Sequence, residues 1–188
     1  MSDIIQGFEP VFDANSALLI LGSFPSVKSR QTDFYYGNRQ NKFWKMLFGF
    51  FGEPLSEEVD AKRAFVLRRG VALWDIVTSC RIKGSSDESI KDYTVADVPA
   101  LLNASRIRLI LLNGTTAYKI FVKNFPDCPV PFRLMPSTSP ANVRYDEKVW
   151  HAALHEVFST GKEDLINDEK NERERTAGKI GKMYDLHF

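Results

Sequence analysis

Apolar residues gather in four short continuous runs along the chain, each closed by small or polar residues. They are Ala17-Leu18-Leu19-Ile20-Leu21 before Gly22, Val71-Ala72-Leu73-Trp74 before Asp75, residues 107–112 before Asn113-Gly114 and, more weakly, residues 130–135 before Pro136-Ser137. Runs of this length with abrupt ends predict strands buried on both faces, as in a parallel sheet. Between them the period becomes helical. Phe43, Trp44, Leu47, Phe48 and Phe51 share one face, and Ser56 with Glu57 and Glu58 opens a second helix that stops before Gly70. Residues 115–124 and 146–158 predict two more helices, the last with Val149, Trp150, Ala153, Leu154 and Val157 on its apolar stripe. Strands alternating with helices predict an α/β domain with a mostly parallel sheet.

The pattern changes near residue 160. From 162 to 175, ten of fourteen residues are charged with both signs mixed. The expected organisation is one domain over 1–160 and a charged tail or solvated helix over 161–188, with apolar character returning at Ile180, Met183, Tyr184, Leu186 and Phe188. The chain of 188 residues is 44% hydrophobic and 12% aromatic, ample for a core. Asp3, Glu9 and Asp13 interrupt the N-terminus, so neither a membrane span nor a secretory signal is expected. Two cysteines, Cys80 and Cys128, are too few for a disulfide framework or a four-thiolate cluster. The expectation is a reduced, cytoplasmic, metal-free protein.

A formal net charge of +1 argues against coating nucleic acid by bulk charge, yet it hides a local asymmetry. Between residues 28 and 45, Lys28, Arg30, Arg39, Lys42 and Lys45 stand against Asp33 alone, with Phe34, Tyr35, Tyr36, Phe43 and Trp44 interleaved. Cations for phosphates beside aromatic faces for a base are what recognition of an extruded nucleotide requires. Phe43 and Trp44 lie on the apolar helix face and read as core. Tyr35 and Tyr36 precede that helix beside Gly37 and are open to either role.

Ligands of open parallel sheets collect beyond the carboxyl ends of the strands. Here those ends lead into Gly22-Ser23-Phe24-Pro25-Ser26, Asn113-Gly114 and Met135-Pro136-Ser137-Thr138-Ser139-Pro140-Ala141-Asn142. These loops are rich in small residues, aromatics and amides, with almost no carboxylates. Neither the glycine fingerprint of dinucleotide binding nor a nucleoside triphosphate loop is present. His151 and His155 have metal-compatible spacing but no third ligand nearby in sequence, so no metal is expected.

Gly22-Ser23-Phe24-Pro25-Ser26, followed by Tyr35-Tyr36-Gly37 and Asn41-Lys42-Phe43-Trp44, resembles the first motif region of the uracil-DNA glycosylase superfamily, closest in pattern to its hypoxanthine-DNA (deoxyinosine) glycosylase branch. Ala72-Leu73-Trp74-Asp75 with Cys80-Arg81 and Gly84-Ser85-Ser86-Asp87, then Leu112-Asn113-Gly114, then residues 135–142, fit the same branch in order. The resemblance spans roughly residues 15 to 158. It implies a three-layer α/β/α fold around a central, mostly parallel four-stranded sheet. It also implies a monofunctional, cofactor-free enzyme of base-excision repair; a monomer with no membrane partner is expected. Such an enzyme extrudes a deaminated base from double-stranded DNA, hydrolyses its N-glycosidic bond and leaves an abasic site. Hypoxanthine is the expected base. A G:U/T mismatch-specific uracil-DNA glycosylase is one alternative. A non-catalytic DNA- or nucleotide-binding protein is another, because Phe24 stands where mismatch-specific relatives carry an Asn.

By the same matching Asn41 is the catalytic amide, positioning water or polarising the base, with a helix cap as its competing role. Tyr36 stacks on the extruded base. Gly22, Ser23 and Phe24 form the pocket, and Asn113 reads the base edge or merely makes the turn before Gly114. Lys28, Arg30, Arg39 and Lys42, with Ser137, Thr138, Ser139 and Asn142, are expected to hold DNA. Asn38-Arg39 replaces a His-Pro pair usual in relatives, and the Ser-Thr-Ser-Pro loop replaces a His or an apolar wedge. Cys80 and Cys128 do not recreate the iron–sulfur ligand set of other branches.

Overall fold

The four apolar runs pair edge to edge. A computed structural model describes residues 4–159. In chain order these form β1 (Ile5–Gln6), β2 (Leu18–Gly22), α1 (Val27–Gln31), α2 (Phe43–Phe50), α3 (Val59–Arg68), β3 (Val71–Asp75) and β4 (Val77–Arg81). A 3-10 turn at Asp87–Ser89 leads to β5 (Lys91–Val95), α4 (Val98–Asn103), β6 (Leu109–Asn113), α5 (Thr115–Asn124), β7 (Phe132–Met135) and α6 (Glu147–Phe158). The main sheet has the order β3-β2-β6-β7, and every neighbouring pair in it is parallel.

Register explains why the runs are continuous rather than alternating. Leu19 lies opposite Ala72 and Ile110, and Leu21 opposite Trp74 and Leu112. That face packs with Val98 and Leu101 of α4 and Ala117 and Phe121 of α5. The intervening residues Leu18, Ile20, Val71, Leu73 and Leu111 point the other way and are also fully buried. Helices thus flank a sheet that is covered on both faces, as predicted. On α2 and α3, Phe48 and Phe65 stack at 3.9 Å, while Phe43 meets Trp150 edge to face at 6.5 Å.

A second, antiparallel sheet of order β1-β4-β5 was not foreseen. Its strands are short, and Lys91–Val95 is polar and largely exposed, so they carry little hydrophobic signal. Two short helices were also missed. Ser26 caps α1, its hydroxyl accepting from Ser29 N, and Asp97 caps α4 in the same way through Ala100 N. The second predicted helix starts later than expected, at Val59. Ser56 instead accepts from Glu58 N in a turn ahead of it. Val149 leaves the predicted stripe of α6 and is 43% exposed, while Trp150, Ala153, Leu154 and Val157 are buried.

Residues through His151 form one compact unit, and a second begins at Ala152. The charged segment predicted for 161–188 lies outside the described residues. No described helix is long and apolar enough to cross a membrane.

Candidate active site

Parallel pairing brings the last residues of the four strands into one row. Gly22 pairs with Asp75, Asn113 pairs with Met135, and Gly22 follows Leu21 in register with Leu112. Between Asp75 and Asn113 the row therefore has a gap, because Gly22 has no side chain. A β-carbon there would collide with Asp75 Oδ1 and lie 3.3 Å from the Tyr36 hydroxyl.

Over this gap lies a cleft of about 510 Å³. The predicted catalytic and pocket residues Gly22, Ser23, Phe24, Tyr36, Asn41 and Asn113 all line it. So do Lys28, Ser137, Thr138 and Ser139 from the predicted DNA-binding set, whereas Arg30, Arg39, Lys42 and Asn142 do not.

The loop after α1 delivers Tyr36. Its backbone is left-handed, φ 53°, which costs a non-glycine residue on the order of 1 kcal/mol. Gly37 follows with its N–H on Ser29 Oγ, in a space where a β-carbon would strike Thr32. Tyr36 stacks on Phe43 at 3.9 Å with 25° between the rings. Its hydroxyl is buried without a hydrogen-bond partner. Burial raises its pKa, as does the neighbouring Asp75. The Asn113 amide acts in the opposite sense, although no hydrogen bond of ordinary geometry joins it to the hydroxyl. Tyr35 is core instead: it is buried, it donates to Glu9 O at 3.0 Å, and its own carbonyl accepts from Trp44 Nε1 at 2.9 Å.

Both amides are half engaged. Asn41 Oδ1 accepts from Phe43 N at 3.0 Å, so it caps the start of α2. Its Nδ2 bonds to no other described residue and remains a donor for the cleft. Asn113 Oδ1 accepts from Thr138 N at 3.0 Å while its Nδ2 donates to Thr138 Oγ1 at 2.9 Å. That pair pins the fully buried Thr138 and with it the loop of 137–142. One N–H and one lone pair of Asn113 remain available.

The basic strip divides by environment. Lys28 is exposed on the rim of the cleft. Arg30 donates to Pro25 O and to Gly84 O at 3.2 Å, and its guanidinium lies over the Phe24 ring at 5.8 Å. Lys42 donates to Asn142 O at 3.3 Å and sits 4.8 Å above the Tyr145 ring. Arg39 is exposed, 3.8 Å from Glu57. Arg30 and Lys42 thus brace loops of the site, while Lys28 and Arg39 face solvent.

The carboxylates were missed. The strand-end loops read as nearly free of them, yet Asp75 and Asp87 both line the cleft. Asp75 is 4% exposed, and its Oδ2 has no hydrogen-bond partner. Burial, aided by the charge of Asp87, pushes its pKa up to about 8, so it is largely protonated at neutral pH. Asp87 receives the Ser23 hydroxyl, 2.8 Å from each of its oxygens, and a further bond from Thr116 on the first turn of α5. Burial raises its pKa and these hydroxyls lower it, with a net upward shift. Asp75 could have been read as the polar end of a doubly buried strand. Asp87 stood in the motif of residues 84–87 without an assigned role, because its partner Ser23 lies 64 residues away. Val143, beyond the 137–142 loop, is 94% exposed. Among the described residues no group of three His, Cys, Asp or Glu side chains is placed to hold a metal ion.

The profile of the uracil DNA glycosylase superfamily matches residues 9–158. A protein of Methanosarcina acetivorans named hypoxanthine DNA glycosylase is 33% identical over 158 residues, covering 80% of this chain and 98% of that one. Its namesake in Methanosarcina barkeri is 37% identical over 111 residues, covering 58% of this chain and 70% of its own. A solution NMR structure from Methanosarcina acetivorans, described as a candidate uracil DNA glycosylase, matches with a TM-score of 0.72 at 30% identity. It covers 82% of this chain and 99% of its own.

Proposed function

The chain belongs to the uracil DNA glycosylase superfamily and is a DNA glycosylase; from that premise we propose that its substrate is hypoxanthine in double-stranded DNA, released by hydrolysis to leave an abasic site. The observation that carries this reading is the buried Asp75 carboxyl lining the cleft, one of whose oxygens has no partner in the protein and whose burial favours the neutral form. Hypoxanthine presents an N1–H donor beside a C6 carbonyl acceptor. A neutral carboxyl presents an O–H donor beside a carbonyl acceptor and can pair with that edge twice. An ionised carboxylate would face the C6 oxygen with a second acceptor and repel it. Uracil shares the same lactam edge, and the two relatives named for hypoxanthine support the purine.

Cleavage drives negative charge onto the departing base and leaves an oxocarbenium-like sugar. Donors already aimed at the base stabilise that charge without reorganising. Asn41 fits this role, because its oxygen already accepts from Phe43 N while its NH₂ has no partner among the described residues. Tyr36, backed by Phe43, stacks on the base, a contact worth ~1–3 kcal/mol in comparable sites. Phe24 walls the pocket, Asn113 offers its remaining N–H, and Lys28 with Ser137 and Ser139 approaches the phosphates.

The test uses duplexes carrying hypoxanthine, uracil or a G:T mismatch, followed by alkaline cleavage of abasic sites. Hypoxanthine should be released fastest. Faster release of uracil would reverse the choice of base, and no strand breaks from any duplex would remove the enzymatic reading.

A further inference from the structure

Two carboxyl groups line the cleft, and their surroundings differ. Asp75 is buried with no donor on its Oδ2. Asp87 is half-buried, receives the Ser23 hydroxyl at 2.8 Å from both oxygens, and is bonded by Thr116 in the first turn of the ten-residue helix α5. Burial raises the pKa of Asp87, and the two hydroxyl donors oppose that rise by favouring the anion. The negative charge of Asp87 in turn helps keep Asp75 protonated. Two acids whose surroundings separate their ionisation are the usual arrangement for dividing acid and base work.

Hydrolysis needs a group to take a proton from water, and the cleft has few candidates. No histidine is among its described lining residues. The oxygens of Asn41 and Asn113 accept backbone N–H groups and, as amide oxygens, are too weakly basic. Lys28 is a cation. The Tyr36 phenol stays protonated because burial opposes its ionisation.

Building on the glycosylase reading above, we propose that Asp87 is the general base of the hydrolysis, held by Ser23 and Thr116 to take the proton of the water that attacks C1′. The water oxygen forms the new bond to C1′, and the C1′–N9 electron pair leaves with the base. The water's proton passes to Asp87, and the departing base acquires one proton. Asp87 then returns its proton to solvent, so that one water has been added across the glycosidic bond. Ser23 and Thr116 are positioning residues in this scheme. The loop that carries Asp87 is fastened to the first strand end by Arg30 on Gly84 O and by Val27 N on Ser85 Oγ at 2.8 Å. Gly84-Ser85-Ser86-Asp87, a motif with no assigned task at the sequence level, thereby acquires one.

The experiment is single-turnover release of hypoxanthine from a duplex by wild type, Asp87→Asn and Asp87→Ala across pH 4 to 9. General-base catalysis contributes about 10²–10⁴-fold, so Asp87→Asn should slow release by roughly that factor while duplex binding stays within about twofold. The wild-type rate should fall on the acid side as Asp87 takes a proton, and Asp87→Asn should lose that limb. Asp75 of β3 and Cys80 of β4 interact electrostatically with Asp87, so the acid limb of wild type is read against that of Asp87→Asn. Formate should restore part of the activity of Asp87→Ala, which a purely structural tie would not allow. Asn at position 87 can still accept the Ser23 hydroxyl, so a structural role predicts near-normal activity for Asp87→Asn. Release by Asp87→Asn within threefold of wild type overturns the proposal. If that variant does not fold, a flat acid limb in wild type, or formate inert on folded Asp87→Ala, overturns it instead. Wild type inert on every damaged duplex is a different result and refutes the glycosylase reading itself.

Discussion

The Asp75 carboxyl occupies the space that a side chain at Gly22 would need, across the β2–β3 pairing that sets the two residues side by side. The glycine is required by a neighbour rather than by a turn. Gly22→Ala should force apart the Asp75 carboxyl and the Tyr36 hydroxyl, both packed in the site. Overpacking of this kind costs about 1–3 kcal/mol. Chemical denaturation should show a loss of that size, together with a larger loss of base release than Ala substitution at the exposed Gly49, where nothing lies within 4 Å. Equal effects at the two glycines would show that the approach of Asp75 to Gly22 has no consequence.

Asp75 also sets a pH dependence. Its pKa rises from 3.8 to about 8 on folding, with burial as the first cause. A raised acid is favourable in its protonated form. Its contribution to stability is therefore whole below about pH 4 and is lost as pH rises towards 8, at up to about 1.4 kcal/mol per unit. Asp75→Asn should remove this slope, so that the variant melts above wild type at pH 8 and the difference shrinks at pH 4. The base release of wild type should also decline above pH 8, and that of Asp75→Asn should not. Parallel melting curves across the range would mean that Asp75 is ionised throughout.

The sheet was legible because burial on both faces leaves uninterrupted runs such as Leu18 to Leu21, and the carboxyl ends of those runs located the cleft. The antiparallel sheet was not, because strands like Lys91–Val95 are mostly polar and put only Tyr93 and Val95 against the core. Residue types pointed to Asn41, Tyr36 and Asn113. They could not reveal that Arg30 and Lys42 spend their donors on Pro25, Gly84 and Asn142, since those bonds exist only after the loops have met. Asp87 was hidden for the same reason, as its hydroxyl partners come from two distant segments.

The cations therefore should not act alike. Lys28 is exposed on the cleft rim and its ammonium has no partner among the described residues, so Lys28→Ala should weaken DNA binding evenly across sequences. It should also reduce the dependence of log affinity on log salt by about one. Arg30→Ala should instead lower the melting temperature, because it releases Pro25 and Gly84 and uncovers Phe24. Salt titration of duplex binding and a melting curve for each variant separate the two roles. A shallower salt slope for Arg30→Ala at unchanged stability would reassign it to the phosphate backbone.

Asn41 combines a cap and a catalytic donor in one side chain, and two substitutions divide them. Asn41→Asp keeps an oxygen for Phe43 N at the start of α2, where a carboxylate is favoured, so its melting temperature should equal or exceed that of wild type. It removes the unpartnered NH₂ of a cleft-lining residue and places negative charge near a departing anion. Loss of a donor of this kind costs about 10²–10³-fold in rate. Asn41→Ala should lose a comparable factor in rate and also about 1 kcal/mol of stability from the missing cap. Single-turnover release, with a melt for each protein, reads both. If Asn41→Asp releases hypoxanthine at the wild-type rate, the side chain serves α2 alone, and the charge on the leaving base must be met elsewhere, with the remaining N–H of Asn113 the next donor in the cleft.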